Sequence, residues 1–478
     1  MFHRNREIQM IIKSRFCPSP TGYIHLGNAR TALFSALAAR QTGDGCFLLR
    51  IEDTDLARSE EAYVTALQED LQWLGCQWNE GPGFDKGHGP YWQSQRTAVY
   101  DRYYQQLIDQ GLAYPCFCSE ESLEAARRIQ RKLGKPPRYA GTCSHLSATE
   151  VAEKLAQGQP AAVRFRVQED RVIEFNDLVR GHQKFSSSDL GDFIIKKTDG
   201  MATFMFCNAI DDALMGVNLA LRGEDHLTNT PRQILILEIL GLPVPQYGHL
   251  SLITGSDGSP LSKRNGSRSI RQLREEGFLA IAVVNYLSRL GHVYTDHNDL
   301  MSFDDCAKYF NLEKLVKASA RYDEQQLLHW QKEAVMQLSP TEFYDWSGAG
   351  AMLYVPQEKL ADFFKLVQSN SVFPSDVYIW AEAMFAEKPH FSDGEREVFI
   401  TAGKEFFITA EKLLNEVETY AALCDGLKEK LNVKGKALFM PLRIALTKVQ
   451  HGPELAAVFD LLGKETLQRR FKLIQDIL

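Results

Sequence analysis

Ile11-Ile12-Lys13-Ser14-Arg15-Phe16-Cys17-Pro18-Ser19-Pro20-Thr21-Gly22-Tyr23-Ile24-His25-Leu26-Gly27-Asn28 is the stretch that decides the fold class. Ile11 to Phe16 reads as a short strand, and Pro18, Pro20 and Gly22 turn the chain into a loop. Ala29, Ala32, Leu33, Ala36 and Leu37 then recur at helical spacing and predict an amphipathic helix over 28–40. Thr42-Gly43-Asp44-Gly45 stops it, and Phe47-Leu48-Leu49-Arg50-Ile51 reads as a second apolar strand. A strand–helix–strand unit of this kind implies a parallel sheet that binds ligands at the carboxyl ends of its strands. His25-Leu26-Gly27 stands at the helix N-terminus, where unpaired N–H groups and the positive end of the dipole hold phosphate. Gly27 lets a nucleotide approach the backbone, and His25 can donate to a phosphoryl oxygen as charge develops there. Taken alone, a His-x-Gly is more often a Pro-rich turn with a surface histidine.

The chain has 478 residues, too many for one hydrophobic core, so several domains are expected. Hydrophobic residues make up 44% and charged residues 24%, which excludes a disordered or fibrous chain. The net charge of −7 argues, by itself, against a nucleic-acid-binding face. The charge is uneven, however. Arg127 to Arg138 holds six basic residues and no acid, and 428–472 holds ten Lys/Arg against four Asp/Glu. Two such zones suit contact with a polyanion on one face of an acidic whole. Nine cysteines are too few and odd in number for a disulfide scaffold and fit a reducing compartment. No run of about 18 uncharged residues exists to span a membrane, and the first nine residues do not read as a signal peptide.

Strand and helix alternation returns over 203–258, after a region at about 96–200 that mixes helices with Gly/Pro-bearing loops. The later part reads as the second half of the first domain, interrupted by an insertion. From about 270 to the end the pattern is nearly all helical. Two further motifs carry chemistry. Pro260-Leu261-Ser262-Lys263-Arg264 follows the turn Gly255-Ser256-Asp257-Gly258-Ser259, and its Lys263 and Arg264 suit closure over a triphosphate. Cys116-Phe117-Cys118 followed by Cys143-Ser144-His145 offers three thiols and an imidazole as two close pairs, a set suited to one tetrahedral structural Zn2+. Tyr139 is a rival to His145 as fourth ligand, since a phenolate oxygen also coordinates.

His25-Leu26-Gly27-Asn28 and Leu261-Ser262-Lys263-Arg264, in that order, resemble the "HIGH" and "KMSKS" signatures of class I aminoacyl-tRNA synthetases. Within that class the chain resembles the bacterial glutamyl-tRNA synthetases. The likeness extends to Arg50-Ile51-Glu52-Asp53-Thr54-Asp55, Asp211-Asp212, Arg222-Gly223-Glu224-Asp225-His226, Met440-Pro441-Leu442-Arg443 and His451-Gly452-Pro453-Glu454-Leu455. The resemblance implies that His25, Lys263 and Arg264 are catalytic. It implies that Arg15 and Arg222 hold substrate carboxylates, with Ser19 in the same loop and Glu52 pairing the substrate ammonium. This agrees with guanidinium–carboxylate chemistry. ATP falls to His25, Gly27, Gly223, Asp225 and Lys263. The insertion, with its basic run and zinc knuckle, takes the tRNA acceptor arm, and the helical end reads the anticodon.

The chain departs from the family's pattern in three places. Phe204-Met205 stand where a Tyr-Asn pair is usual, in what reads as a strand before Asp211, so a hydroxyl and an amide near the substrate are missing. Asn28 replaces a Gly or Thr, and Pro260 replaces the first Lys of the second signature.

The expected fold is an α/β Rossmann-type catalytic domain with an α+β insertion, followed by an all-α C-terminal region. The expected divisions are 1–95 and 201–258 for the two catalytic halves and 96–200 for the insertion. The second signature with a stem-contact domain falls at 259–335, and two anticodon-binding subdomains fall at 336–385 and 386–478. The expected activity is ATP-dependent ligation of L-glutamate to tRNA(Glu), with Mg2+ accompanying ATP and tRNA(Gln) left open as a second acceptor. The enzyme is expected to be a cytoplasmic monomer. The alternative is a tRNA-binding paralogue with reduced or lost aminoacylation, supported by Phe204, Met205 and Pro260. A short paralogue that modifies a tRNA base lacks the helical end, and a glutaminyl enzyme ends in β-barrels. Met10-Ile11-Ile12-Lys13 suits the family's usual start, so residues 1–9 read as an extension or translation begins at Met10.

Overall fold

The computed structural model describes residues 11–55, 59–134, 137–261 and 267–478. The proposed extension at 1–9 lies outside them. The chain divides into two units, one of Met1–Leu273 with Val283–Asp323 and one of Arg274–Ala282 with Glu324–Leu478.

The first unit is built on a four-stranded parallel sheet. Its order is Cys46–Leu49, Lys13–Phe16, Leu219–Gly223, Gln246–Leu250. Strand order reverses between Lys13–Phe16 and Leu219–Gly223, and a crevice opens at such a reversal beyond the carboxyl ends. Phe47, Leu48 and Leu49 are all buried, as expected of a parallel strand covered on both faces. The second strand is shorter than its apolar run: it ends at Leu49, and Ile51 forms a single bridge with Trp92.

The helix after the first loop runs Leu26–Gln41, two residues earlier than its spacing predicts. This makes His25 the residue that caps it. The helix is not amphipathic either, since Leu26, Ala29, Ala32, Leu33, Phe34 and Ala36 to Ala39 are all buried. It is covered by the sheet on one side and by the helix Phe303–Tyr309 on the other. Small alanines all around its surface permit both approaches.

Between the halves of this sheet lie a three-stranded antiparallel sheet, Ala113–Cys116, Ala162–Phe165 and Phe193–Lys196, and the hairpin Val172–Asp177 with Gly181–Ser186. Tyr100, Tyr104, Phe165, Phe193, Phe206 and Ile210 form one core that joins the inserted elements to the helix Phe204–Leu214. Phe204-Met205 therefore open a helix rather than ending a strand, a correction to the sequence reading. The run Phe204 to Leu214 is apolar enough to suit either element. Phe206 to Ala213 are buried in succession, so burial follows no two-residue alternation and the helix is covered around its circumference.

The second unit is helical from Glu324–Gln337 to Lys464–Ile477. The only described strand after residue 270 is the two-residue Ala320–Arg321, which belongs to the first unit. Ser339 with Glu342 and Ser392 with Glu395 form capping boxes. Gly403 and Gly463 take positive φ between consecutive helices, where a side chain would be strained. Phe343, Phe363, Phe399, Phe407, Leu442 and Phe471 are fully buried in one core. Each contributes on the order of 1.5–3 kcal/mol. Arg470, 3% exposed, donates to the carbonyls of Ala383, Met384, Ala445 and Leu446 and so ties the ends of two helices to the middle of a third.

Candidate active site

A cleft of about 410 Å³ opens where the strand order reverses. Arg15, Ser19, Gly27, Glu52, Arg222, Gly223 and Asp225, singled out from the sequence, all line it. Arg15 leaves the strand Lys13–Phe16 and Arg222 the neighbouring Leu219–Gly223, so the sheet itself sets their separation.

Arg15 is 4% exposed. Its Nε donates to Asp212 at 3.3 Å and its Nη1 to the Leu221 carbonyl at 2.9 Å. The same Asp212 accepts from Arg50 Nη2 at 2.7 Å. Two arginines thus share one carboxylate, and their charge holds Asp212 below the usual carboxylate range although burial opposes this. Asp211, next on the helix, is turned to other partners: Arg96 at 2.7 Å, Gln93 at 3.0 Å and the Tyr100 hydroxyl at 2.7 Å. Arg222 is 6% exposed and has no carboxylate within ion-pair distance among the described residues. Its Nε donates to His249 Nε2 at 3.2 Å, its Nη2 donates to the Thr230 hydroxyl at 2.8 Å, and its guanidinium lies 5.0 Å from the Tyr247 ring centre. Burial lowers the Arg222 pKa to about 10, still fully charged at neutral pH. The cleft wall therefore carries guanidinium charge that a ligand anion completes.

Glu52 faces these arginines. Burial pushes its carboxyl up to about 7, against hydrogen bonds from Asn208 and Ser19 and the charge of Arg50, which pull it down. Asn208, absent from the sequence reading, sits at the centre of this corner. Its Oδ1 accepts from Arg50 at 2.8 Å, and its amide nitrogen reaches the Phe204 carbonyl, one turn back. The amide expected to be missing from the cleft is thus present, one turn along the same helix. Phe204 lines the cleft and stacks on His226 with ring centres 4.8 Å apart, whereas Met205 packs into the core of the insertion.

The helix N-terminus at the His25 loop is local chemistry. Ala29 N–H is the first to bond within the helix, to His25 O at 2.9 Å, which leaves the N–H groups of Leu26, Gly27 and Asn28 without helical partners. Nothing lies within 4 Å of where a Cβ on Gly27 would stand. Gly223 is the opposite case, because a Cβ there would meet the Asp225 carboxylate at 2.4 Å. His25 is half-buried beside the cleft rather than in its lining. Ser267 Oγ lies 3.5 Å from His25 Nδ1, and Ser269 forms a bridge with His25. On the other flank of the second signature Leu261 N bonds the Ile253 carbonyl at 2.9 Å. Lys263 and Arg264 lie outside the described residues.

The cysteine cluster is separate from the cleft. The Sγ atoms of Cys116, Cys118 and Cys143 lie within 4.8 Å of one another. The Tyr139 hydroxyl is 3.5 Å from both Cys116 and Cys118 Sγ and accepts from Cys143 N–H at 2.8 Å. Arg164 covers the Tyr139 ring at 3.7 Å and donates to Cys116 Sγ at 3.1 Å. His145 is not in this group. It is exposed on the turn at 142–145 that buries Cys143, so of the two candidates only Tyr139 stands beside the thiols. Three soft thiols and an oxygen within this span fit a zinc ion.

In the adjoining helix Glu120–Lys132, Arg127 and Arg131 share Glu124, and Arg138 beyond it pairs with Asp189. Arg128 and Lys132 are exposed with no such partner among the described residues.

Residues 11–329 match the family model described as tRNA synthetases class I (E and Q), catalytic domain, and residues 343–474 match an anticodon binding domain. The chain is 53% identical to a glutamate–tRNA ligase 1 of Coxiella burnetii, over 97% of this chain and 99% of that one. It is 51% identical to a glutamate–tRNA ligase 2 of Nitrosococcus oceani, over 96% of this chain and 98% of that one. The crystal structure of a glutamate tRNA ligase from Elizabethkingia meningosepticum in complex with its amino acid superposes with a TM-score of 0.87. It has 28% identity and covers 98% of this chain and 99% of that one.

Proposed function

The chain belongs to the glutamate–tRNA ligases, class I aminoacyl-tRNA synthetases, and we propose that its cleft joins L-glutamate to ATP and then to tRNA(Glu). The observation that carries this reading is the charge of the cleft. Two buried arginines, one of them without an acidic partner among the described residues, face a carboxylate poised near neutrality. That pattern is the complement of a dicarboxylate that bears one ammonium. Arg15 and Arg222 hold the carboxylates, and Glu52, oriented by Ser19 and Asn208, takes the ammonium. The carboxylate oxygen of glutamate attacks the α-phosphorus of ATP, forming glutamyl-adenylate and releasing pyrophosphate. The terminal ribose hydroxyl of tRNA then takes the acyl group and AMP leaves. His25 and the helix N–H groups behind it stabilise phosphoryl charge, with Lys263 and Arg264 supplying further cations. Gly223 and Asp225 border the nucleotide. Positioning and charge stabilisation account for the chemistry, so no nucleophilic side chain is required.

Mg2+ arrives with ATP and neutralises its phosphates. Cys116, Cys118, Cys143 and Tyr139 hold one zinc ion, which fixes the shape of a knuckle too small to own a core. Residues 96–200 take the acceptor arm, 259–335 the stem, and 336–385 with 386–478 the anticodon. None of the nine cysteines is in a disulfide, which supports a reducing, cytoplasmic setting, and no described helix is long and apolar enough to cross a membrane. The enzyme acts as a monomer.

Aminoacylation with L-glutamate on purified tRNA(Glu) and tRNA(Gln), assayed separately with Lys263→Ala as the control, tests the reading. Charging of tRNA(Glu) that is lost in the control is expected. Intact tRNA binding with no glutamate-dependent ATP–pyrophosphate exchange in the presence of that tRNA would replace it with the non-catalytic paralogue.

A further inference from the structure

Arg222 is held from behind by a buried chain that begins in the inserted segment. Asp177 ends the strand Val172–Asp177, and Leu178 N bonds the Tyr247 carbonyl at 2.9 Å, which lays the hairpin against the strand Gln246–Leu250. Asp177 Oδ1 is taken up by three backbone N–H groups: Arg180 at 2.8 Å, Val179 at 2.9 Å and His249 at 3.1 Å. Oδ2 faces His249 Nδ1 at 2.5 Å. On its other side His249 Nε2 meets Arg222 Nε at 3.2 Å and the Thr230 hydroxyl at 2.9 Å. His249 and Thr230 are fully buried and Asp177 is 4% exposed.

A guanidinium only donates, so Nε2 must present its lone pair and Nδ1 must carry the proton. Asp177 enforces that tautomer, because an ionised carboxylate only accepts. Nε of Arg222 is spent on His249 and one Nη2 hydrogen on Thr230. Both Nη1 hydrogens and one on Nη2 remain for the cleft, enough for a two-point grip on a carboxylate.

We propose that Asp177 and His249 are positioning residues that fix Arg222 for the substrate carboxylate, so that a group from the insertion sets the affinity of the cleft for L-glutamate. The proposal rests on the reading of Arg222 given above.

Steady-state aminoacylation of tRNA(Glu) with Asp177→Asn, His249→Leu, Arg222→Lys and the two double variants in the Arg222→Lys background tests it. In Asp177→Asn the backbone donors retain the amide oxygen, so the NH2 faces Nδ1 and drives the ring proton to Nε2, against Arg222. The expected result for Asp177→Asn and His249→Leu is a rise in KM for L-glutamate of about tenfold or more, with KM for ATP unchanged. Neither change adds to the effect of Arg222→Lys. Asp177→Asn preserves volume and carries the test if His249→Leu does not fold. An unchanged KM for L-glutamate in Asp177→Asn, with a raised one in Arg222→Lys, overturns the positioning role and leaves the reading of Arg222 standing. Equal rises in KM for ATP and glutamate also overturn it, since they mark a general structural role. An unchanged KM in Arg222→Lys overturns the reading of Arg222 and the proposal together.

Discussion

Arg15 and Arg222 enter one cleft from adjacent parallel strands, but only Arg15 is paired with a carboxylate among the described residues, at 3.3 Å from Asp212. Asp212 also takes Arg50 at 2.7 Å, so one buried acid keeps two guanidinium groups folded into the wall of the site. The remaining positive charge is then left for the substrate to neutralise.

Removing that acid leaves Arg15 without a carboxylate among the described residues and Arg50 with only Asp211, at 3.8 Å. Asp212→Asn is expected to destabilise the first unit by about 3–5 kcal/mol, read by denaturant unfolding, and to abolish aminoacylation. The arginines hold the Asp212 carboxyl below its ordinary range. The stability it contributes is therefore present above that range and lost as pH falls through the lowered value, a term that Asp212→Asn removes from the acid-unfolding profile.

Glu52, pushed up to about 7 by burial, must be ionised to pair with an ammonium. The KM for L-glutamate is expected to fall about tenfold between pH 6 and pH 8 as that carboxyl ionises. Stability of the ligand-free protein runs the other way. A carboxyl whose folded-state value is raised contributes stability that is whole below about 4.5 and lost as pH rises through about 7. Glu52→Gln should raise KM and flatten the profile. Asn208→Val removes one of the hydrogen bonds that lower the Glu52 value, and the KM profile should move to higher pH.

For the cysteine cluster the expected metal content is one zinc per chain by mass spectrometry of the metal. Cys143→Ser should lose it. Tyr139→Phe should weaken retention against a chelator, and His145→Ala should retain zinc as the unaltered protein does. Zinc loss in His145→Ala with retention in Tyr139→Phe would return the fourth position to the histidine.

Arg128 and Lys132 are the exposed basic residues of their helix that lack an acidic partner among the described residues. Their double replacement by alanine should weaken tRNA binding and reduce the slope of log K against log salt by about 1 per residue removed. Replacing Arg127 and Arg131, which already share Glu124, should change the slope less. Filter binding across a salt series reads both.

The His25 loop was legible because its signal is local. Two prolines, a glycine and the first apolar turn of a helix act through neighbours within a few residues, and helix-terminal N–H groups bind anions in any fold. Arg15, Glu52 and Arg222 were legible only through resemblance, since nothing near them in sequence separates a substrate arginine from a surface one. Asn208 is not legible, because in sequence it is one polar residue in an apolar run.

What the sequence by itself determined is the opening order of strand, loop, helix and strand, the helix N-terminus near His25, the family and the thiol pairs. What only the tertiary structure decided is which charges meet: Asp212 with Arg15, 197 residues away, Asp177 with His249, 72 residues away, and Tyr139 rather than His145 beside the thiols. The physical reason is range. Caps, turns and periodicity are set by contacts within one turn of chain, whereas an ion pair in a low-dielectric interior depends on where two distant elements close, and burial then makes that one pairing obligatory.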